Sequence, residues 1–352
     1  MNTLRIAKTL IGYRTTSDQQ GELDRCLQFI RIYLQQNSDL RFKSFTRNGV
    51  QSLLCGFNNI SKPDLLLCAH IDVVDGAKEQ FIPRISQGKL YGRGAIDMKG
   101  PLAVLLSLMK DIKPKGKSIS LLVSSDEEVG GINGTGYVLS QIKPKFALIA
   151  EESGFDITVQ QKGKALLRLS TTGLAGHGSK PDDNNNAIIK LLDTYNSIKP
   201  LLKNRVRDES TFNLGVIVGG TVNNTIPNQA SLDIDFRFPT RQVFDSTVKQ
   251  LISKIKNQAD LQIVTYSSPM FSGAKSQPYV AALQNLLTSQ YQITPQLKKT
   301  SYCGDGRYCT DLQIPVIEFG PIGSNYHGDN EYADITSLLT YYKILKDYIY
   351  QI

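Results

Sequence analysis

The sequence predicts an α/β fold in two units, one inserted into the other, and three observations point there. Four short, wholly apolar runs alternate with helix-like segments, the pattern of buried strands in an α/β sheet. Between residues 163 and 270 the pattern changes to a self-contained strand–helix–strand–strand–helix–strand order, the ferredoxin-like βαββαβ unit. A chain of 352 residues is also about two domains' worth. The expected division is an outer unit of residues 1–162 and 271–352 around an inserted unit of residues 163–270.

Taken in order, Ser17-Asp18-Gln19-Gln20 reads as a capping box, with Leu23, Cys26, Leu27, Ile30 and Leu34 at helical spacing behind it. The runs at 65–69, 119–123, 146–150 and 316–319 read as buried strands, and 101–112 as a helix opened by Pro101. Inside the inserted unit the strands fall at 166–172, 212–218, 231–238 and 261–266. One helix spans 187–198, with Ile188, Leu191, Leu192 and Tyr195 on one face; another carries Val243, Phe244, Val248, Leu251, Ile252 and Ile255.

Composition narrows the function classes. No run approaches the ~18 apolar residues of a membrane helix, and the longest greasy stretch, 101–109, stops at Lys110. The opening MNTLRIAKTLIGYRTT lacks the apolar region of a signal peptide, so a cytoplasmic chain with no membrane partner is expected. Lys and Arg exceed Asp and Glu by 40 to 32, a net +8. The basic residues are scattered, however, and their densest group (Lys110, Lys113, Lys115, Lys117) has no interleaved aromatics. A solvated surface is expected rather than a nucleic-acid partner. The five cysteines form no CxxC pair and read as thiols, not a disulfide framework.

Histidine is scarce, with only His70, His177 and His327, and two of the three lie among acidic clusters. His70-Ile71-Asp72 follows the first apolar run. Asp97 ends a glycine-rich loop before a helix. Asp126, Glu127 and Glu128 follow the second run, Glu151 and Glu152 the third, and His327 precedes Glu331 by four residues. Each alone has a bland reading: a hydrogen-bonded core pair, a turn former, a solvated turn. Together they place candidate ligands outside the carboxyl ends of successive strands, where an open α/β sheet builds its site. Carboxylates mixed with imidazole suit Zn, Mn or Co, and no cysteine cluster competes.

The segments CAHIDVVDG, YGRGAIDMKG, SSDEEVGG, IAEESG, GLAGHGSKP, NNTIPNQASLDIDFR, CGDGRY and FGPIGSNYHGDNEY occur in an order that resembles one metallohydrolase family. It is the di-zinc family of aminoacylases, acetylornithine deacetylases, succinyl-diaminopimelate desuccinylases and glutamate-releasing carboxypeptidases. The resemblance runs from about residue 60 to the end. It implies a mixed-sheet catalytic domain with helices on both faces, plus an inserted lid and dimerisation domain. It further implies two Zn²⁺ per subunit, replaceable by Co²⁺ or Mn²⁺. Asp97 would bridge them, with His70 and Glu151 completing one site and Glu128 and His327 the other. Glu127 would be the general base and Asp72 the partner that orients His70, while the peptide after Asp97 would be cis. His177 would reach the neighbouring subunit's site and steady the oxyanion, making the protein a homodimer through the inserted domain. Asn224, Arg237 and Arg307 would contact the substrate's carboxylate end. Two such ions lower the pKa of water toward ~7, and a glutamate base then shuttles its proton to the leaving amine.

The chain departs from the family in places. It has Ala69 and Asp75 where Gly and Pro are usual, and Ser301-Tyr302-Cys303-Gly304 before Asp305-Gly306-Arg307. The usual Glu-Pro-Thr or Glu-Pro-Ser is Glu151-Glu152-Ser153, which leaves two candidates for the third ligand; Glu151 is chosen because it follows the strand directly. The expected function is hydrolysis of the amide of a small-molecule N-acyl amino acid, with succinyl-diaminopimelate desuccinylase favoured. Acetylornithine or acetyl-lysine deacetylase comes next, then a dipeptidase or carboxypeptidase. A metal-dead binding protein on the same scaffold would be expected to lose a ligand or the base, and here all are present.

Overall fold

The four apolar runs form the parallel centre of a mixed sheet, in the spatial order Ile119–Ser124, Leu65–His70, Ala147–Ile149, Val316–Glu318. This arrangement comes from a computed structural model that describes residues 2–183, 185–204 and 210–352. Every residue of the four strands is buried, as both faces of a parallel sheet require. Because the strands are parallel, their carboxyl ends share one edge, with His70 level with Ser124 and Cys68 level with Ile149. Antiparallel strands widen the sheet. A hairpin of Arg41–Arg47 and Val50–Gly56 joins Ile119–Ser124, and Ile157–Gln161 joins Val316–Glu318. The hairpin turns through Asn48 and Gly49, both at positive φ, as the tight two-residue turn demands.

The chain divides into two compact units. The first comprises Met1–Val159, Phe271–Lys298 and Gly304–Ile352, the second Gln160–Met270 and Lys299–Cys303. The sequence reading leaves Lys299–Cys303 in the outer unit. The Thr300 carbonyl instead accepts from the Lys162 amide at 3.1 Å, which draws this segment to the second unit. In the first unit, helices Asn2–Ile11, Lys99–Asp111, Ile335–Gln351 and Gln277–Tyr291 pack in succession, while Thr135–Gln141 packs with Gly306–Asp311. A smaller antiparallel sheet of Arg84–Ser86, Lys89–Tyr91, Tyr332–Asp334 and Gly323–Ser324 carries the loop that ends at Asp97.

The second unit follows the strand–helix–strand–strand–helix–strand order. Its sheet runs Thr211–Gly219, Gln229–Phe238, Gly163–Thr172, Asp260–Ser267, antiparallel throughout. Asn186 and Thr240 cap its helices Ala187–Ile198 and Arg241–Ile255 by accepting backbone amides. Phe236, Phe238 and Phe244 fill its core with ring centroids 4.8–5.8 Å apart.

Two local expectations fail. The capping box does not form: the helix is Gln20–Leu34 with Gln19 at its N-cap and no side-chain cap bond. Asp18 instead accepts from the Thr16 hydroxyl and the Gln19 amide, local bonds that compete with capping. Pro101 does not open its helix either. Lys99–Asp111 starts two residues earlier, which proline tolerates because the first turn needs no donor there. Among the described residues no disulfide joins the cysteines, and no helix is long and apolar enough to cross a membrane.

Phe146 is fully buried in the first unit, its ring stacked on Tyr279 with centroids 4.0 Å apart. Phe146→Ala should destabilise the protein by about 3–5 kcal/mol, read as a lowered denaturation midpoint in urea with an unchanged m-value.

Candidate metal centre

The shared edge of the parallel strands delivers the chemistry. His70 is the last residue of Leu65–His70 and Glu151 lies two past Ala147–Ile149; Glu127 and Glu128 lie in the turn after Ile119–Ser124. Asp97 arrives from the smaller sheet, on the loop between Lys89–Tyr91 and the helix Lys99–Asp111. His327 sits between Gly323–Ser324 and Tyr332–Asp334, at φ +61°, a left-handed conformation uncommon for a non-glycine residue. The Asp97–Met98 peptide is cis, as the resemblance implies.

Two groups of ligating atoms result. His70, Asp97 and Glu151 form one, Asp97, Glu128 and His327 the other, with the ligand atoms of each within 4.8 Å of one another. Asp97 belongs to both. Its Oδ1 lies 3.2 Å from His70 Nε2, its Oδ2 3.2 Å from His327 Nε2. His70 Nε2 is also 3.5 Å from Glu151 Oε1, and His327 Nε2 is 3.1 Å from Glu128 Oε2.

The tautomer of His70 follows from its other nitrogen. Nδ1 lies 2.9 Å from the backbone carbonyl of Asp72, which can only accept, so Nδ1 carries the proton and donates. Nε2 then faces two carboxylates with a lone pair, unless a proton or a cation lies between. The Asp72 carboxylate is farther from Nδ1, at 3.4 Å through Oδ1, while its Oδ2 accepts the Glu128 amide at 2.8 Å. The orienting contact thus runs chiefly through the Asp72 main chain, and its side chain holds the Glu128 turn.

Charge is crowded here. Burial pushes the Glu151 carboxyl up to about 7, against its hydrogen bond to His70. Burial also raises Glu127 well above the usual carboxylate range, opposed by His70 and aided by Asp305, Glu151 and Asp72. Asp97 is held below the usual range despite burial, because His327 and His70 bond to it. Those bonds from Asp97 and Glu128 lift His327 to about 10. One imidazole and two carboxylate oxygens per group, with Asp97 common to both, are a donor set for two borderline divalent cations, and the residues fit them.

Other predicted residues stand elsewhere. Glu152 is in neither group, although burial beside Glu151 and Asp97 raises its carboxyl to about 9. Asp126 closes its own loop, accepting the Asn133 and Gly134 amides at 3.0 Å. Arg307 is only 4% exposed. It donates to the carbonyls of Gly304 (2.8 Å) and Gly130 and to the Tyr308 hydroxyl (3.2 Å), and Tyr308 also donates to the Gly130 carbonyl. Gly130 ends the turn that carries Glu127 and Glu128. Both terminal nitrogens of the guanidinium thus bond groups of the chain itself.

In the second unit His177 is exposed, on a two-residue strand paired with Thr225–Ile226, and its Nδ1 accepts the Ser179 amide at 3.1 Å. The Asn224 carbonyl accepts from Gly178 at 2.7 Å, so the His177 and Asn224 loops adjoin. Arg237 lies apart from them. It is near the far end of Gln229–Phe238, level with Lys164, and its Nε is 2.7 Å from Asp235.

Sequence reasoning gives Arg93 no role, and Glu331 only a place among candidate ligands. Arg93 and Glu331 form a buried ion pair at 3.0 Å behind the Asp97 loop. Glu331 joins neither ligand group.

A parallel-centred α/β unit with two adjoining imidazole–carboxylate triads at its strand ends defines a metallohydrolase type of centre. Comparison with known proteins gives the family. Residues 66–351 match peptidase family M20/M25/M40, and the chain belongs to that family. It is accordingly an amidohydrolase. A succinyl-diaminopimelate desuccinylase of Rickettsia felis is 26% identical over 98% of both chains. The aminopeptidase PepT of Bacillus cereus superposes with TM-score 0.81 at 17% identity, covering 99% of this chain and 97% of that one. The Bacillus subtilis YXEP protein, described as a dinuclear metal binding peptidase, superposes with TM-score 0.72 at 11% identity over 99% and 96%. At such identities the two structural likenesses are likenesses of fold.

The Arg307 contacts make a separable prediction. Arg307→Ala removes the guanidinium donors from the Gly130 and Gly304 carbonyls, which keep the Tyr308 hydroxyl and the residue-307 amide, and should lower unfolding stability by about 1–2 kcal/mol in metal-stripped protein, read by urea denaturation. If Arg307 instead receives the substrate's carboxylate, stability will hold and KM alone will rise.

Proposed function

We propose that this chain is a two-metal amidohydrolase that removes the succinyl group from N-succinyl-diaminopimelate in the cytoplasm, working as a homodimer. The observation that carries the site reading is the Asp97 carboxylate, whose two oxygens face imidazoles of different triads. His70, Asp97 and Glu151 would hold one Zn²⁺, and Asp97, Glu128 and His327 the other, with Co²⁺ or Mn²⁺ as substitutes. Bound there, such ions supply Lewis acidity toward an amide carbonyl and toward water.

The chain's own residues do the rest. Glu127 takes the proton of the attacking water on its carboxylate and delivers it to the leaving amine nitrogen. Its burial raises the carboxyl above the usual carboxylate range, which favours proton uptake. Nδ1 of His70, tied to the Asp72 carbonyl, keeps Nε2 directed at Asp97 and Glu151. Asn224 and Arg237 are assigned to the substrate's carboxylate end. Arg237 now grips Asp235 with a forked contact, so binding there would exchange one carboxylate for another.

The substrate rests on relatives. Several proteins named succinyl-diaminopimelate desuccinylase, 25–29% identical, align with most of the chain. The test is a panel of N-succinyl and N-acetyl amino acids and a tripeptide, assayed before and after chelation. Hydrolysis of N-succinyl-diaminopimelate should lead the panel, vanish with chelator and return with Zn²⁺ or Co²⁺. Preference for an acetylated substrate or the tripeptide overturns the substrate, and full activity in metal-stripped protein overturns the two-metal reading.

The dimer reading is supported by an edge. Thr211–Gly219 is the outermost strand of the second unit's sheet, and Leu214, Val216, Ile217 and Val218 on it are exposed. Unpaired apolar edges invite a further strand, which a second copy of this chain would supply. His177 would then complete the partner's site. Mixing His177→Ala with Glu127→Ala protein under subunit exchange should regenerate activity, since some heterodimers hold one intact composite site. Mixtures as inactive as either parent would remove His177 from the shared site.

A further inference from the structure

The pair of Arg93 and Glu331 lies behind the centre, 3% and 2% exposed. Each oxygen of Glu331 accepts two donors. Oε1 takes the amides of Ile96 (3.0 Å) and Asp97 (3.1 Å), and Oε2 takes the amide of Gly94 (2.9 Å) and Nη1 of Arg93 (3.0 Å). With four donors in place the carboxylate has nothing left to offer a metal ion, although its spacing after His327 looks like a ligand's. The loop must bend to present these amides, and Gly94 permits it. Its φ is +81°, and a Cβ there would meet Lys99 Cδ at 2.8 Å.

The partners of the pair matter more than its burial. One Glu331 bond ends on the amide of Asp97 itself. Arg93 Nη2 donates to the carbonyl of Asp75 (3.2 Å), close behind His70 and Asp72, and to the carbonyl of His327 (3.4 Å). The pair thus grips the backbone of the bridging carboxylate and of the second imidazole, and spans 238 residues of sequence to do so. Both residues lie in the first unit.

We infer that Glu331, with Arg93, is a positioning residue that sets the separation of Asp97 and His327 and so the affinity of the centre for both ions. The inference rests on the two-metal reading above. A neutral amide at position 331 would keep acceptor capacity on one oxygen, present a donor to the donors on the other side, and leave Arg93 buried without its counter-charge. Removing a group that orients ligands from behind commonly costs 10–100-fold in metal affinity.

The full-length chain, stripped of metal, should be titrated with Co²⁺ as wild type, as Glu331→Gln and as Asp64→Asn, a half-exposed control that pairs with Lys145 and accepts the Ser118 amide, in neither ligand group. Wild type and Asp64→Asn should bind two ions with one visible absorption spectrum. Glu331→Gln should bind about 10–100-fold more weakly with a shifted spectrum, reporting changed ligand geometry. A folded Glu331→Gln protein that melts lower yet keeps wild-type affinity and spectrum would make the pair merely structural and overturn the inference. If Glu331→Gln does not fold, Arg93→Lys decides by the same titration: it keeps the counter-charge but loses the second nitrogen that reaches Asp75 and His327. Weakened binding there supports the inference and wild-type binding overturns it. A wild-type chain that takes up no Co²⁺ overturns the two-metal reading itself.

Discussion

The arrangement depends on one carboxylate held between two imidazoles. Asp97 presents Oδ1 to His70 and Oδ2 to His327, with Glu151 and Glu128 meeting the same Nε2 atoms. Three carboxylates this close repel one another, and bringing them out of water costs several kcal/mol each unless positive charge accompanies them. The imidazoles answer part of that need: bonds from Asp97 and Glu128 lift His327 to about 10, and His327 and His70 hold Asp97 low despite its burial. Divalent cations do the same work with more charge, releasing protons as they bind. The surrounding structure must keep the repelling groups from spreading apart.

The parallel sheet does the coarse part of that task. Parallel strands end at one edge, so His70, the Glu127–Glu128 turn and Glu151 arrive together without any long loop of their own. The fine part falls to hydrogen bonds between side chains and backbone. Asp72 holds the Glu128 amide, Arg307 and Tyr308 hold the Gly130 carbonyl, and Glu331 holds three amides of the Asp97 loop, those of Gly94, Ile96 and Asp97. Each bond fixes a ligand-bearing segment at its main chain, where rotamer freedom cannot loosen it. A set of ligands held in this way keeps its geometry whether or not the substrate is present.

How far the sequence discloses all this depends on the range of the interaction. The strands are legible because four runs have no polar face, and His70, Glu128 and Glu151 because they follow three of those runs within a few residues. The helix Asn2–Ile11 carries a readable signal, with Ile6, Ala7, Leu10 and Ile11 buried at three-to-five spacing, and Asn48-Gly49 marks the hairpin. The capping box misleads. Asp18 takes the Thr16 hydroxyl on one oxygen and the Gln19 side-chain amide on the other, and the pattern does not record that these local bonds prevail over capping. Arg307 and Glu331 are legible as residues, but their backbone partners are not. Nothing in Asp305-Gly306-Arg307 announces the Gly130 and Gly304 carbonyls that the guanidinium bonds, and an acid four residues after His327 looks like a ligand until four donors surround it.

These two cases bear on how a motif is read. Ligands and the base must have their chemistry at the reacting atoms, so their residue types are constrained by the reaction: imidazole or carboxylate, in number and sign. The residues behind them are constrained by the backbone they hold, and a charged side chain is the strongest way to satisfy several amides or carbonyls at once in a dry interior. Both constraints select the same residue types, acids and arginines, and both keep them near the same loops. Sequence therefore reports that such a residue is required near the centre without reporting which way it faces. The buried oxygen count decides. Asp97 and Glu151 keep oxygens directed at imidazole nitrogens, whereas Glu331 spends all of its acceptor capacity on the chain. The same distinction separates Glu151 from Glu152: adjacent and identical in type, only the first has its carboxylate in reach of His70.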